Sequence, residues 1–167
     1  MRCYRLFSEG VRKMKAILFY LISFTWGLPM TLIGCVVAAV LRIAGHCPKR
    51  WGFCWYFEVG EKWGGLELGV FFLVNRKPSR TMRCHELGHA LQNCVFGPLM
   101  PLIVSIPSAV RYWYRLFLIR VIGVTRLPPY DAVWFEGQAT RWGERVMDRE
   151  GGIKHDETRA NTTDGRG

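Results

Sequence analysis

His85, Glu86 and His89 stand in the order His-Glu-Leu-Gly-His. On a helix each residue turns by about 100°, so the two histidines lie one turn apart on one face. Each can then give a ring nitrogen to a single zinc ion, Zn2+. Glu86 falls beside them, close enough to take a proton from a water activated there and poorly placed to be a ligand itself. The chain has four histidines, and two of them are in this pentapeptide. The same pattern also arises by chance in unrelated helices, so the weight rests on what surrounds it.

The surrounding residues predict a two-sided helix. Met82, His85, Glu86, His89, Gln92 and Asn93 share one side, and Cys84, Leu87, Leu91, Cys94 and Val95 share the other, which suits a polar working front over an apolar back. Ser79 or Thr81 is the expected N-cap, and Gly97-Pro98 marks the far end. A catalytic zinc usually takes three protein ligands and keeps one position open. The metzincin arrangement is excluded, because Gln92 and Val95 occupy the places of its glycine and third histidine. The remaining candidates are Asp131, Glu136, Glu144 and His155. Asp131 reads better as the N-cap of a helix running to about Met147, Glu144 as one half of a solvated pair with Arg141, and His155 as part of a polar tail. Glu136 sits mid-helix among Ala132, Ala139, Thr140 and Gly143. Small side chains there let a second helix come close enough for a carboxylate to reach the metal.

His85-Glu86-x-x-His89 followed by a helical Glu136-Gly137-Gln138-Ala139 resembles the gluzincin pattern. It is most similar to the membrane-bound metallopeptidases that include the prenyl-protein protease and its heat-shock-inducible bacterial relatives. The resemblance covers two short helices. It implies a zincin-like domain in which His85, His89 and Glu136 bind Zn2+, Glu86 is the general base, and a peptide bond is hydrolysed. Those families usually carry an acid four residues after the ligand glutamate; Thr140 stands in that place here.

The elements that must position these residues are unevenly apolar. Half of the 167 residues are hydrophobic and 14% are aromatic, with a net charge of +10. The basic residues border apolar runs, as at Arg12-Lys13 and Lys15 before the first run and Arg111, Arg115 and Arg120 after the last. Anionic lipid explains this placement more simply than nucleic acid. Residues 16–41 carry no charge over 26 positions, and a span needs about 20, so one transmembrane helix is expected there with a kink at Pro29. It is too long for a cleaved signal peptide, and the flanking charges do not decide its orientation.

Beyond it, Trp55 to Val59 looks extended, and Lys62-Trp63-Gly64-Gly65 is a turn signal. The alternation from Leu66 to Val74 predicts a strand. The expectation is a small antiparallel sheet leading into the histidine helix, its edge able to hold an extended substrate by strand addition. Residues 94–110 are apolar but contain Pro98, Pro101 and Pro107. That predicts a re-entrant or short membrane-dipping segment that returns the chain, so that Glu136 stays on the side of His85. Residues 111–126 read as an interfacial helix.

Three regions follow: a basic segment and membrane helix (1–43), a zincin-like α+β domain (44–147) and a disordered polar tail (148–167). The six cysteines form no Cys-x-x-Cys pair; Cys35, Cys84 and Cys94 read as small buried hydrophobes, and Cys47 and Cys54 can pair only in an oxidising compartment. The functional expectation is an integral membrane zinc metallopeptidase acting on membrane-proximal protein or peptide substrates. The alternative is a non-catalytic membrane protein whose metal site is structural or degenerate.

Overall fold

The computed structural model describes residues 2–61 and 63–163, with side chains from Gly10 to Asp148 except Lys62. It is an α+β fold in which one buried helix lies between a small sheet and a second helix. The elements in order are α1 (Arg2–Ser23), α2 (Leu28–Ile43), β1 (Lys49–Trp51), β2 (Cys54–Glu58), β3 (Gly65–Leu68), β4 (Phe71–Val74), α3 (Arg80–Phe96), α4 (Ile106–Phe117) and α5 (Trp134–Thr163).

The uncharged run at 16–41 is not one helix. It breaks after Ser23, and the two halves meet at 96°. Pro29 does not kink a continuous helix but opens a new one, in the first turn where its missing N–H is no loss. The break is held by packing. The Asn93 side-chain amide donates to the Gly27 carbonyl at 3.3 Å, and Thr31 Oγ1 donates to the Ser23 carbonyl at 2.9 Å. Trp26 lies so close over Gly97 that no side chain fits there.

The sheet is mixed rather than antiparallel, with strand order β1-β2-β4-β3. β1–β2 and β3–β4 are antiparallel hairpins, and β2 and β4 pair in parallel. The reason is Gly69. The alternation from Leu66 to Val74 is interrupted there by a positive φ of 72°, so the chain reverses and one expected strand becomes two. A Cβ at Gly69 would also collide with Thr31 of α2. The inward set Leu68, Val70, Phe72 and Val74 is buried as the alternation implies. Val70, Phe72 and Val74 meet Leu87 and Ala90 of α3, with Phe19, Phe53 and Tyr56, in the main core, while Leu68 joins Met30, Met100, Val104 and Phe135 in a second cluster. Cys47 and Cys54 do not pair: Cys54 points into this core, Cys47 is exposed, and both are free thiols.

Ser79 caps α3, its Oγ accepting from the Met82 N–H at 3.1 Å. The polar front of α3 does not face solvent. Glu86, His89, Gln92 and Asn93 are all buried: α5 and β3 lie against α3, and the α1–α2 bend lies against Asn93.

The three prolines after α3 do not turn the chain back. Pro98 falls in a 3-10 turn, Gly97–Leu99. Pro101 and Pro107 fall in the first turns of the helical segments they begin, where a missing donor is tolerated. π-type turns at Pro101–Ser105 and Leu118–Ile122 flank α4 and join it into a helix of 22 residues, Pro101–Ile122. It is long and apolar enough to cross a membrane. The expected re-entrant segment and interfacial helix are therefore one continuous element. Residues 123–129 contain no helix or strand and lead back along it to Tyr130.

Asp131 does not cap α5. It lies in a 3-10 turn, Tyr130–Ala132, and extended Val133 intervenes before the helix, its carbonyl accepting from the Gly137 N–H at 2.9 Å. α5 continues past Met147 to Thr163, helical backbone where composition predicts a disordered tail; the rest of that stretch, 164–167, lies outside the described residues.

α3 and α5 touch backbone to backbone at two points. A Cβ on Gly88 would collide with the Ala139 carbonyl, and one on Gly143 with the Cys84 carbonyl. Neither carbonyl can move without unwinding its own helix. Gly143→Ala is therefore expected to lose about 2–4 kcal/mol, read as a fall in thermal midpoint, although it improves intrinsic helix propensity.

Candidate metal centre

The close helix contact carries Glu136, one turn before Ala139 and Thr140, to a place opposite His85 and His89. His85 Nε2 and His89 Nε2 are 3.0 Å apart, and Glu136 Oε2 lies 3.0 Å from the first and 3.2 Å from the second. Glu136 is 0% exposed, and its other oxygen, Oε1, has no partner.

The hydrogen bonds around this triangle decide which atoms face inward. Gln92 donates through Nε2 to the Phe135 carbonyl at 2.8 Å and to Gln138 Oε1 at 2.9 Å. Its own Oε1 is then left to accept from His89 Nδ1–H at 2.8 Å. Thr140 Oγ1 donates to the Glu136 carbonyl at 3.3 Å and so accepts from His85 Nδ1–H at 2.9 Å. Each imidazole thus donates through Nδ1 and turns Nε2 toward the carboxylate, an acceptor wherever that ring carries no second proton. Three acceptors at 3.0–3.2 Å repel one another unless a cation sits among them. Two neutral imidazole nitrogens and a carboxylate oxygen are a ligand set for zinc with one position left open. The donors therefore fit a metal ion, and His85, His89 and Glu136 can hold one. A proton among them meets the same need: burial alone raises the Glu136 carboxyl, but hydrogen bonds from His85 and His89 then outweigh it and hold it well below the usual carboxylate range.

Glu86 is outside the triangle and beside it. It is 4% exposed, and burial pushes its carboxyl up to about 7, His85 opposing and Glu136 adding to the rise. Its Oε1 lies directly against Gly65 of β3, where a Cβ would overlap it. The edge strand thus touches the proposed base with bare backbone. A cleft of about 750 Å³ opens over these groups, lined by Trp63, Leu66, Met82, Met100, Val104 and Tyr112 with His85 and Glu86. β3 forms one wall and the Pro101–Ile122 helix another.

Tyr130 also lines the cleft. Its hydroxyl pairs with Ser108 Oγ at 3.1 Å. Arg111 and Arg115 donate to the Pro129 and Pro128 carbonyls and set their guanidinium groups 5.7 and 5.9 Å from the ring centre. Burial pushes the phenol up to about 12, so it stays an O–H donor.

Of the sequence-level ligand candidates, His85, His89 and Glu136 come together. Asp131 and Glu144 stay outside the triangle, and the side chain of His155 lies outside the described residues. Gln92, Thr140, Tyr130 and Ser108 were not foreseen in these roles. Gln92 carried a signal, three residues after His89 on the same face. Thr140 carried one too, replacing the acid that the gluzincin pattern leads one to expect. Tyr130 and Ser108 carried none. No protein-family model matches the chain, and no curated protein or solved structure matches it.

Thr140→Val keeps the shape and removes the hydroxyl that orients His85. Metal affinity should fall roughly 10–100-fold, read by chelator competition. In the metal-free protein Glu86 gives stability a pH dependence. Its folded value, about 7, lies above the usual 4.5, so the folded state binds this proton more tightly. The contribution is complete below about pH 4.5 and is lost as pH rises toward 7, on the order of 3 kcal/mol. Thermal midpoints between pH 5 and 8 should fall with rising pH, and less steeply in Glu86→Gln.

Proposed function

We propose that the chain is a membrane-associated zinc metallopeptidase of the gluzincin type. The observation that carries this reading is the triangle of inward-facing acceptors with a buried carboxylate, Glu86, beside it on the cleft. Zn2+, held by His85, His89 and Glu136, would polarise the scissile carbonyl and activate water. Glu86 takes the proton from the attacking water and returns it to the leaving amine. A carboxyl raised by burial is matched to that two-way transfer near neutral pH. Thr140 and Gln92 hold the imidazoles in the binding tautomer. Tyr130 offers an O–H on the cleft side. β3 is an edge strand, so its free side can pair with an extended peptide, and the apolar lining favours apolar side chains next to the scissile bond. The exposed apolar residues of α2 and of the Pro101–Ile122 helix support membrane association and membrane-proximal substrates.

The depth at which Glu136 and His89 are buried favours a second reading, a structural metal site in a non-catalytic membrane protein. Glu86→Gln separates the two. It should keep one bound metal per chain and lose turnover of a quenched peptide by about 10²–10⁴-fold. Undiminished turnover would refute the mechanism, and unfolding on metal removal in a protein without turnover would favour the structural site.

A further inference from the structure

No described helix has both the length and the surroundings to cross a bilayer. In α1 the charges Arg12, Lys13 and Lys15 leave only residues 16–23 free of charge, roughly 12 Å at 1.5 Å per residue. α2 has 16 residues, about 24 Å, against a hydrocarbon core of about 30 Å. The two cannot add into one span. They meet at 96°, and the bend is locked by Asn93, Thr31 and Trp26, whose Nε1 donates to the Val95 carbonyl at 3.2 Å.

The Pro101–Ile122 helix is long enough, but the chain returns beside it. Arg111 and Arg115 hold the Pro129 and Pro128 carbonyls, and Ser108 holds the Tyr130 hydroxyl. Residues 123–129 are irregular backbone whose N–H groups bond to backbone only at Gly123 and Val124, both to the Leu118 carbonyl. Such a segment is not tolerated in hydrocarbon. A helix with that irregular segment tied to its flank is placed in the plane of the interface, not across it.

The apolar surface fits this placement. At the α1–α2 bend Phe24, Trp26 and Leu28 are exposed. Leu99, Leu102, Ile106, Val110 and Phe117 are exposed along the following segment and α4. Trp26 packs on Gly97, so the two patches adjoin. The chain carries +10, and Arg12, Lys13, Lys15, Arg111, Arg115 and Arg120 lie in the same helices as the patches.

We infer that the described residues embed in one leaflet of an anionic bilayer, the α1–α2 bend and the outer side of the Pro101–Ile122 helix among the acyl chains, with nothing crossing to the far side. The inference rests on the membrane reading above and not on peptidase activity. It also sets what the cleft can reach. Trp113 lines the cleft and is 65% exposed, so the cleft mouth lies at the level of the headgroups.

The test uses the full chain with vesicles of neutral phosphatidylcholine and of phosphatidylcholine mixed with phosphatidylglycerol. Flotation should be at least tenfold greater with the anionic vesicles, and the excess should vanish in high salt; equal flotation with both overturns the anionic leaflet, and none with either overturns embedding altogether. Single cysteines at Arg12, Cys47, Lys77 and Arg126, in a background otherwise free of cysteine, should all react from one side with an impermeant maleimide. A site labelled only from the opposite side overturns the inference. If that background does not fold, trypsin added outside sealed vesicles reads the same thing in the native chain, with cleavage expected after Lys49, Arg76 and Arg126 alike. Glu86→Gln should float and label as the wild type does, so failure of the peptidase reading and failure of this one are told apart.

Discussion

The backbone contact between α3 and α5 is the constraint on which the site depends. A carboxylate on one helix reaches imidazoles on another only when the axes come unusually close, because Glu has a short arm and the metal must stay within about 2 Å of its oxygen. Gly88 against Ala139 and Gly143 against Cys84 supply that approach. They also align it: the contacts lie on the faces that carry His85, His89 and Glu136, so sliding one helix by a residue would bring a Cβ onto a carbonyl before it moved the ligands apart. Close packing and ligand geometry are thus one requirement. The cost is two glycines inside helices, each about 1 kcal/mol less favourable than alanine.

The second requirement is electrical. A fully buried carboxylate facing two lone pairs costs on the order of several kcal/mol unless a positive charge is present. Gln92 and Thr140 make this worse in isolation, since by accepting the Nδ1 protons they turn both Nε2 lone pairs inward. A positive charge shared among the three groups, whether a metal ion or a proton on one Nε2, removes that cost.

Much of this was readable from residue types. The His85-to-His89 spacing, the Ser79 cap and the small residues around Glu136 are local facts that a helix turns directly into geometry. The parts that were not readable depend on partners far away in the chain. Gly69 breaks an apparently continuous alternation because α2 presses Thr31 against it. The uncharged run divides between Ser23 and Leu28 because Asn93 and Gly97, some seventy residues on, hold the bend. The prolines after α3 fall in the opening turns of their segments, a distinction that composition does not make. Asp131 lost its expected role as a cap because the clasp on Tyr130 fixes the chain just before it.

That clasp links the exposed apolar side of α4 to the candidate site. Ser108, Arg111 and Arg115 lie on one side of α4 and hold the returning chain, while Ile106, Val110 and Phe117 are left exposed. The returning chain delivers Tyr130 to the cleft and starts the turn from which α5 carries Glu136 to the histidines. Had the Pro101–Ile122 helix crossed a bilayer, its far end would lie about 30 Å from the near face, and Glu136 could not have rejoined His85 without a second crossing. The approach of Glu136 to the histidines and the clasp along α4 are therefore consequences of the same return path, and the geometry of the candidate site is tied to the path that the chain takes along the Pro101–Ile122 helix.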